Sequence, residues 1–203
     1  MKLNLVYQEK YSRGELLLRT FFGWLYICIP HYFILFFLSI WGGILSFIAF
    51  WAILFTGVYP KPFFNYQVKL LKWSLRLQAR LYNLLDGYPA FGLSAEDEKV
   101  LLDIPYPQKL SRGKLLLRLF FGWLYILIPH GFMLFFRYIG FGVIMFIAWW
   151  AVLFTGKYPL GMFNYMVGTI RWSYRVNIYY SYMTDDYPPF NGKEISTEET
   201  SSN

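Results

Sequence analysis

Two long stretches of the chain carry almost no polar relief. Between Arg19 and Lys61 there is no Lys, Arg, Asp or Glu, and between Arg118 and Lys157 the only charge is Arg137. A helix on the surface of a soluble protein alternates an apolar stripe with a polar face, whereas these runs are apolar on every side, the pattern of a chain surrounded by lipid. Each run is about twice the roughly 20 residues that a helix needs to cross a hydrocarbon core of about 30 Å. The pattern predicts two crossings per run and four in all.

Finer punctuation divides each run. A first crossing over about 16–37, or 115–136, is interrupted by Pro30 or Pro129, which removes an amide donor and predicts a kink. A second covers about 43–55, or 142–154, and the glycines of SIWGG and YIGFG between them predict a tight turn. Gly57 and Gly156, followed by Pro60 and Pro159, then close the second crossing. Behind each hairpin, about 63–85 and 162–183 read as an amphipathic helix. Lys69, Lys72, Arg76 and Arg80 recur at intervals of three and four on one face, and Arg171 and Arg175 repeat the central pair. Such a helix lies in the headgroup plane with its cations snorkelling; a cytoplasmic helix packed on a partner protein is the competing reading.

Displaced by about 99 residues, the chain overlays itself. Positions 12–91 align with 111–190 without a gap, and about 45 of the 80 pairs are identical. The expected fold is an all-α membrane protein with four transmembrane helices, arranged as two tandem helical hairpins, each followed by an amphipathic interfacial helix. Its parts are a first repeat at 1–91, a cytoplasmic linker and second leader at 92–110, a second repeat at 111–190 and a disordered, polar tail at 191–203. The leaders LNLVYQEKYSRG and LDIPYPQKLSRG read as short extended segments, although Pro105 and Pro107 make the second a poor central strand. Positive charge gathers at the open ends of the hairpins, which places both termini in the cytoplasm. With two crossings per repeat, the repeats are expected to be related by an axis along the membrane normal.

Composition adds limits. The formal net charge of +7 is spread along the borders of the apolar runs and does not gather into a basic domain, so nucleic acid is not an expected partner. A single cysteine, Cys28, excludes an intrachain disulfide and a Cys-based metal site. The first ten residues lack the apolar core of a cleaved signal, so the mature chain is expected to start at Met1.

The residues with chemical potential inside the runs are His31 and His130. His31 lies 12 residues past Arg19, roughly 18 Å along a helix, and His130 stands at the same step of the second copy. An ionisable group at mid-membrane depth is a functional hypothesis by default. The sharp reading is a pair of axial ligands to a haem b, facing one another across the repeat axis. The bland one is a hydrogen bond to a carbonyl or to the neighbouring hairpin, close to a proline that frees a backbone acceptor, and no cofactor. Arg19 and Arg118, near the cytoplasmic helix ends, are expected at lipid headgroups. Lys72, Arg76, Arg80, Arg171 and Arg175 are expected to recruit anionic phospholipid at about 1 kcal/mol per cation. No nucleophile with a base, phosphate-binding glycine loop or metal constellation is recognisable, so an enzyme is not expected.

The combination of IPH in the first crossing, LFTGKYP after the second, and RWSYRV followed by DDYPPF resembles the DUF4389 family of bacterial integral membrane proteins of unknown function. The resemblance extends over two tandem copies and is closer in the second, because KWSLRL and DGYPAF stand in the first. It implies a multi-pass protein of the bacterial inner membrane and no mechanism. The leading expectation is a non-enzymatic accessory or scaffold subunit whose partners are the bilayer and other integral membrane subunits. Haem-linked electron transfer and lipid binding with membrane shaping are the alternatives.

Overall fold

The computed structural model describes residues 1–194. A strand, β1 (Lys2–Leu5), leads into a continuous helix of 44 residues, α1 (Arg13–Thr56), followed by α2 (Lys61–Leu81). The sequence of elements then repeats as β2 (Val100–Asp103), α3 (Arg112–Thr155) and α4 (Leu160–Tyr180). The fold is mostly helical, and α1 and α3 are long and apolar enough to cross a membrane.

Local chemistry sets the ends of the long helices. The side chains of Ser12 and Ser111 accept the amides of Glu15 and Lys114, satisfying donors that a helix start leaves free. At the other end Gly57 and Gly156 adopt φ of +75° and +69°, a left-handed conformation available to glycine at little cost. Adding a β-carbon there, as in Gly57→Ala or Gly156→Ala, is expected to lower stability by about 1 kcal/mol. Thermal unfolding in detergent would read this as a similar drop in Tm for the two variants.

The expected hairpins do not form. SIWGG and YIGFG lie inside unbroken helix, so four crossings become two helices, each about 66 Å long. These glycines serve close approach instead of a turn. A β-carbon on Gly42 would stand 2.8 Å from Leu70 Cδ1, and one on Gly140 would stand 2.6 Å from Tyr165 Oη. The prolines do not end the helix either. A π-helical turn, Trp24–Cys28 or Trp123–Leu127, precedes each one, with the amides of Ile29 and Ile128 reaching back five residues to Trp24 and Trp123.

α2 and α4 begin two residues earlier than their periodicity suggests and run back along the long helix of their own repeat. Tyr66 donates to the Leu38 carbonyl at 2.9 Å, and Gln67 reaches the Gly42 carbonyl and the Ser46 hydroxyl. Leu70, Trp73 and Leu77 cover Ile27 and Leu35, and Trp172 and Val176 cover Ile126 and Leu134. Their second halves are buried on almost every side. They form an internal layer, in place of the expected interfacial helices, because the stripe of small and branched residues on α1 and α3 needs an apolar partner. Arg137 obeys the same logic: its guanidinium turns inward to the Thr169 hydroxyl and lies over the Tyr165 ring at 4.5 Å.

The two repeats interlock. β1 and β2 form an antiparallel ribbon in which Leu3 faces Leu102, the same position of the two copies, so a twofold axis passes between them. Three further sets of cross-repeat bonds come in matching pairs. Tyr11 and Leu110 donate their amides to the Gly156 and Gly57 carbonyls. Arg13 and Arg112 donate to the last-turn carbonyls of Phe154 and Phe55, at 2.9 and 2.7 Å. Tyr7 and Tyr106 donate to Tyr158 and Tyr59. Each long helix therefore starts beside the end of the other, and the pair is antiparallel. The ribbon rests on α2 and α4, and these rest on α1 and α3. Residues 191–194, expected to begin a disordered tail, pack against α4, and the rest of that tail lies outside the described residues.

Candidate functional site

The motifs of each repeat converge on its histidine. His31 follows the π-helical turn, and its Nδ1 accepts the indole N–H of Trp73 from α2 at 2.8 Å. In the second copy His130 Nδ1 accepts the Trp172 indole at 3.0 Å. The segment after α2 adds Tyr88 and Phe91 to the cage, with the Phe91 ring edge-on 4.9 Å from His31. Tyr187 and Phe190 do the same in the second copy, where Phe190 stacks nearly parallel on His130 at 4.0 Å.

The neighbouring prolines explain part of this design. An α-helical bond from residue 30 to the Tyr26 carbonyl is impossible because Pro30 has no N–H, and Pro129 deprives Tyr125 in the same way. The hydroxyls of Tyr88 and Tyr187, from DGYPAF and DDYPPF, donate to these two carbonyls at 3.3 and 2.9 Å. The carbonyl freed by the proline is thus matched by a tyrosine, and the histidine by a tryptophan.

The geometry bears on the haem reading. Accepting an N–H at Nδ1 leaves the ring proton of a neutral imidazole on Nε2. Nε2 is buried in both copies and has no hydrogen-bond partner among the described residues. A metal at Nε2 would require the proton to move to Nδ1, opposite an indole N–H that cannot accept it. Each histidine is enclosed by aromatic side chains of its own repeat, His31 by Trp73, Tyr88 and Phe91 and His130 by Trp172, Tyr187 and Phe190.

Six of the seven cations expected at headgroups are buried, and this corrects that expectation. Arg19 donates to the Asn83 side chain and the Leu85 carbonyl and pairs with Asp86 at 2.9 Å. Arg118 donates to the Tyr179 and Thr184 carbonyls and pairs with Asp185. Arg76 gathers the Ala90, Gly92 and Ala95 carbonyls, while Arg175 takes those of Asn191 and Lys193. Arg171 joins three elements, reaching the Leu3 carbonyl on β1, the Gly192 carbonyl and the Glu194 carboxylate. Arg80 meets Asp97 at 2.6 Å, both largely hidden from solvent. Burial lowers the Arg76 and Arg171 guanidiniums from their ordinary values, opposed by Asp97 and Glu194 respectively. They remain cationic, since the guanidinium is the strongest base among the side chains.

These arginines knit irregular segments to helices because a guanidinium offers five donors to carbonyls that no regular structure satisfies. Lys72 is the seventh cation and stays exposed beside Lys69. The signal missed in the sequence was the coincidence of buried arginines with carbonyl-rich ends: Asp86 and Asp185 follow Arg19 and Arg118 at the same distance of 67 residues.

Residues 112–191 match the family model described as Domain of unknown function (DUF4389), which covers the second repeat. No curated protein and no solved structure matches the chain.

Proposed function

We propose that this chain, whose residues 112–191 match the DUF4389 family model, is a non-enzymatic membrane protein acting as an accessory or scaffold subunit of a membrane complex. One observation carries this reading. The large apolar side chains of α1 and α3 stay exposed along the whole length of both helices, from Leu17 to Phe55 and from Leu116 to Phe154. A soluble monomer rarely leaves a contiguous apolar patch of more than a few hundred Å². Lipid and neighbouring membrane helices are the partners such a surface suits. The histidines and buried arginines, which would be the natural sources of chemistry, are engaged in holding the fold, and this supports a scaffold over a catalyst. A bacterial inner-membrane location with cytoplasmic termini is part of the same proposal.

Purification from native membranes in mild detergent, followed by mass spectrometry, tests it. Stoichiometric co-purification of integral membrane proteins is the expected result, and a lone monomer under those conditions would count against a scaffold. The absorption spectrum of the same sample should show no haem band, because the Trp73 and Trp172 bonds keep the proton on each Nε2.

Anionic lipid remains a fitting partner through the exposed lysines alone. Changing Lys69 and Lys72 together to glutamine is expected to weaken binding to anionic vesicles roughly five-fold per charge, from about 1 kcal/mol for each cation at the surface. Vesicle co-sedimentation at two salt concentrations would measure it.

A further inference from the structure

The two long helices and the twofold axis constrain how the molecule can sit in a bilayer. Because α1 starts beside the end of α3 and α3 beside the end of α1, the axis that exchanges them runs perpendicular to both. That axis passes through the ribbon between Leu3 and Leu102. Around the ribbon, at the middle of the long helices, lie exposed charges: Lys2, Lys72, Glu96, Glu98, Lys99 and Asp103. Had α1 and α3 stood along the membrane normal, these groups would face the centre of the hydrocarbon, where each charge is costly. A helix of about 66 Å would also exceed the core of about 30 Å by a factor of two, yet its outer face is apolar to both ends.

Turning the axis onto the membrane normal removes both conflicts. The long helices then lie flat, the ribbon side with its charges faces water, and the basic ends meet the headgroups. Those ends are Lys10 with Lys157 and Lys109 with Lys61. We propose that this chain is embedded in a single leaflet: α1 and α3 lie in the membrane plane with their exposed aromatic face in the acyl chains, and no segment crosses to the other side. This inference rests on the membrane reading above and specifies its geometry. The helix layer acts as a wedge of two antiparallel rods, with every polar loop on one side.

Two measurements on the full-length chain, reconstituted in vesicles of phosphatidylcholine and phosphatidylglycerol, test it. In a Cys28→Ala background, single cysteines at the exposed positions Phe22, Phe36 and Phe47 carry a spin label, whose depth is read from its relative accessibility to oxygen and to a water-soluble nickel chelate. A flat helix gives the same depth at all three sites. A crossing helix changes depth by about 1.5 Å per residue, so Phe22 and Phe36 would differ by about 21 Å. That gradient would overturn the flat arrangement while leaving the membrane reading intact. Labels reached by nickel chelate and not by lipid would overturn both and point to a second copy or another protein on this face.

The unmodified protein gives an independent reading that no folding defect can confuse. In sealed vesicles of uniform orientation, a membrane-impermeant amine reagent should label Lys10, Lys61, Lys109 and Lys157 together from one side and none of them from the other. Lys10 and Lys157 labelled from one side, with Lys61 and Lys109 from the opposite side, would mean that the helices cross, and the proposal would fail.

Discussion

Changing Arg118 to methionine should cost about 3–5 kcal/mol of stability, the range for removing one member of a buried ion pair. Arg118 is 2% exposed, donates to three carbonyls, pairs with Asp185 and lies over the Tyr179 ring at 4.5 Å. Asp185 in turn accepts the Ser111 amide at 2.6 Å, where α3 begins. Removing the arginine takes the counter-charge from Asp185, which keeps only the Ser111 amide, and a donor from the Tyr179 and Thr184 carbonyls, at the place where the DDYPPF segment is tied down. Denaturant unfolding in detergent, followed by tryptophan fluorescence, would read the loss. The double variant with Asp185→Asn should lose less than the sum of the two single changes, because the second removes the charge that the first leaves unpaired. A loss below about 1 kcal/mol, the size of an exposed pair, would show that the pair is solvated and that the segment is held by its aromatic side chains alone.

The second large effect concerns the repeats as units. Residues 100–194, produced alone, should form a symmetric dimer and should not fold as a monomer. In the full chain, the bonds that close α3 at Gly156 and cover Tyr158 come from Tyr11, Arg13 and Tyr7 of the other repeat. The isolated repeat carries the equivalent donors Leu110, Arg112 and Tyr106, which it cannot direct to its own helix end about 60 Å away. A second copy can accept them, as an isologous interface requires, and β2 can pair with itself about Leu102. Light scattering in detergent should give twice the chain mass, and dilution should unfold the repeat together with dissociation. A stable monomer with native helix content would mean that the cross-repeat bonds are dispensable.

Legibility in the sequence followed the range of the interaction concerned. Helix stops at Gly57 and Gly156 were readable because such a cap is completed within a few residues, whereas the starts, expected at 16 and 115, lie three residues earlier, where Ser12 and Ser111 cap them. The aromatic cage was readable only as separate pieces. Pro30 read as a local break, while Trp73 and Tyr88 stood only within KWSLRL and DGYPAF, and their relation appears when α2 is folded back and a tyrosine hydroxyl meets the carbonyl the proline has freed. The basic residues misled for a similar reason. Spacing of three and four puts Lys69, Lys72, Arg76 and Arg80 on one face, but does not say whether headgroups or the carbonyls of a distant loop will meet that face. Here the lysines meet solvent, and the arginines meet Ala90, Gly92, Ala95 and Asp97.

By itself the sequence determined the duplication, the helical class, the two apolar stretches and the glycines that end the long helices. All of these depend on composition, on period or on contacts within a few positions. Only the tertiary structure decided that SIWGG and YIGFG continue a helix. Glycine serves a turn and a close approach equally well, and the choice depends on Leu70 and Tyr165 arriving from another element. It likewise decided that the repeats run antiparallel and complete each other's ends, because two nearly identical copies carry no local mark saying whether a donor will serve its own helix or its twin's.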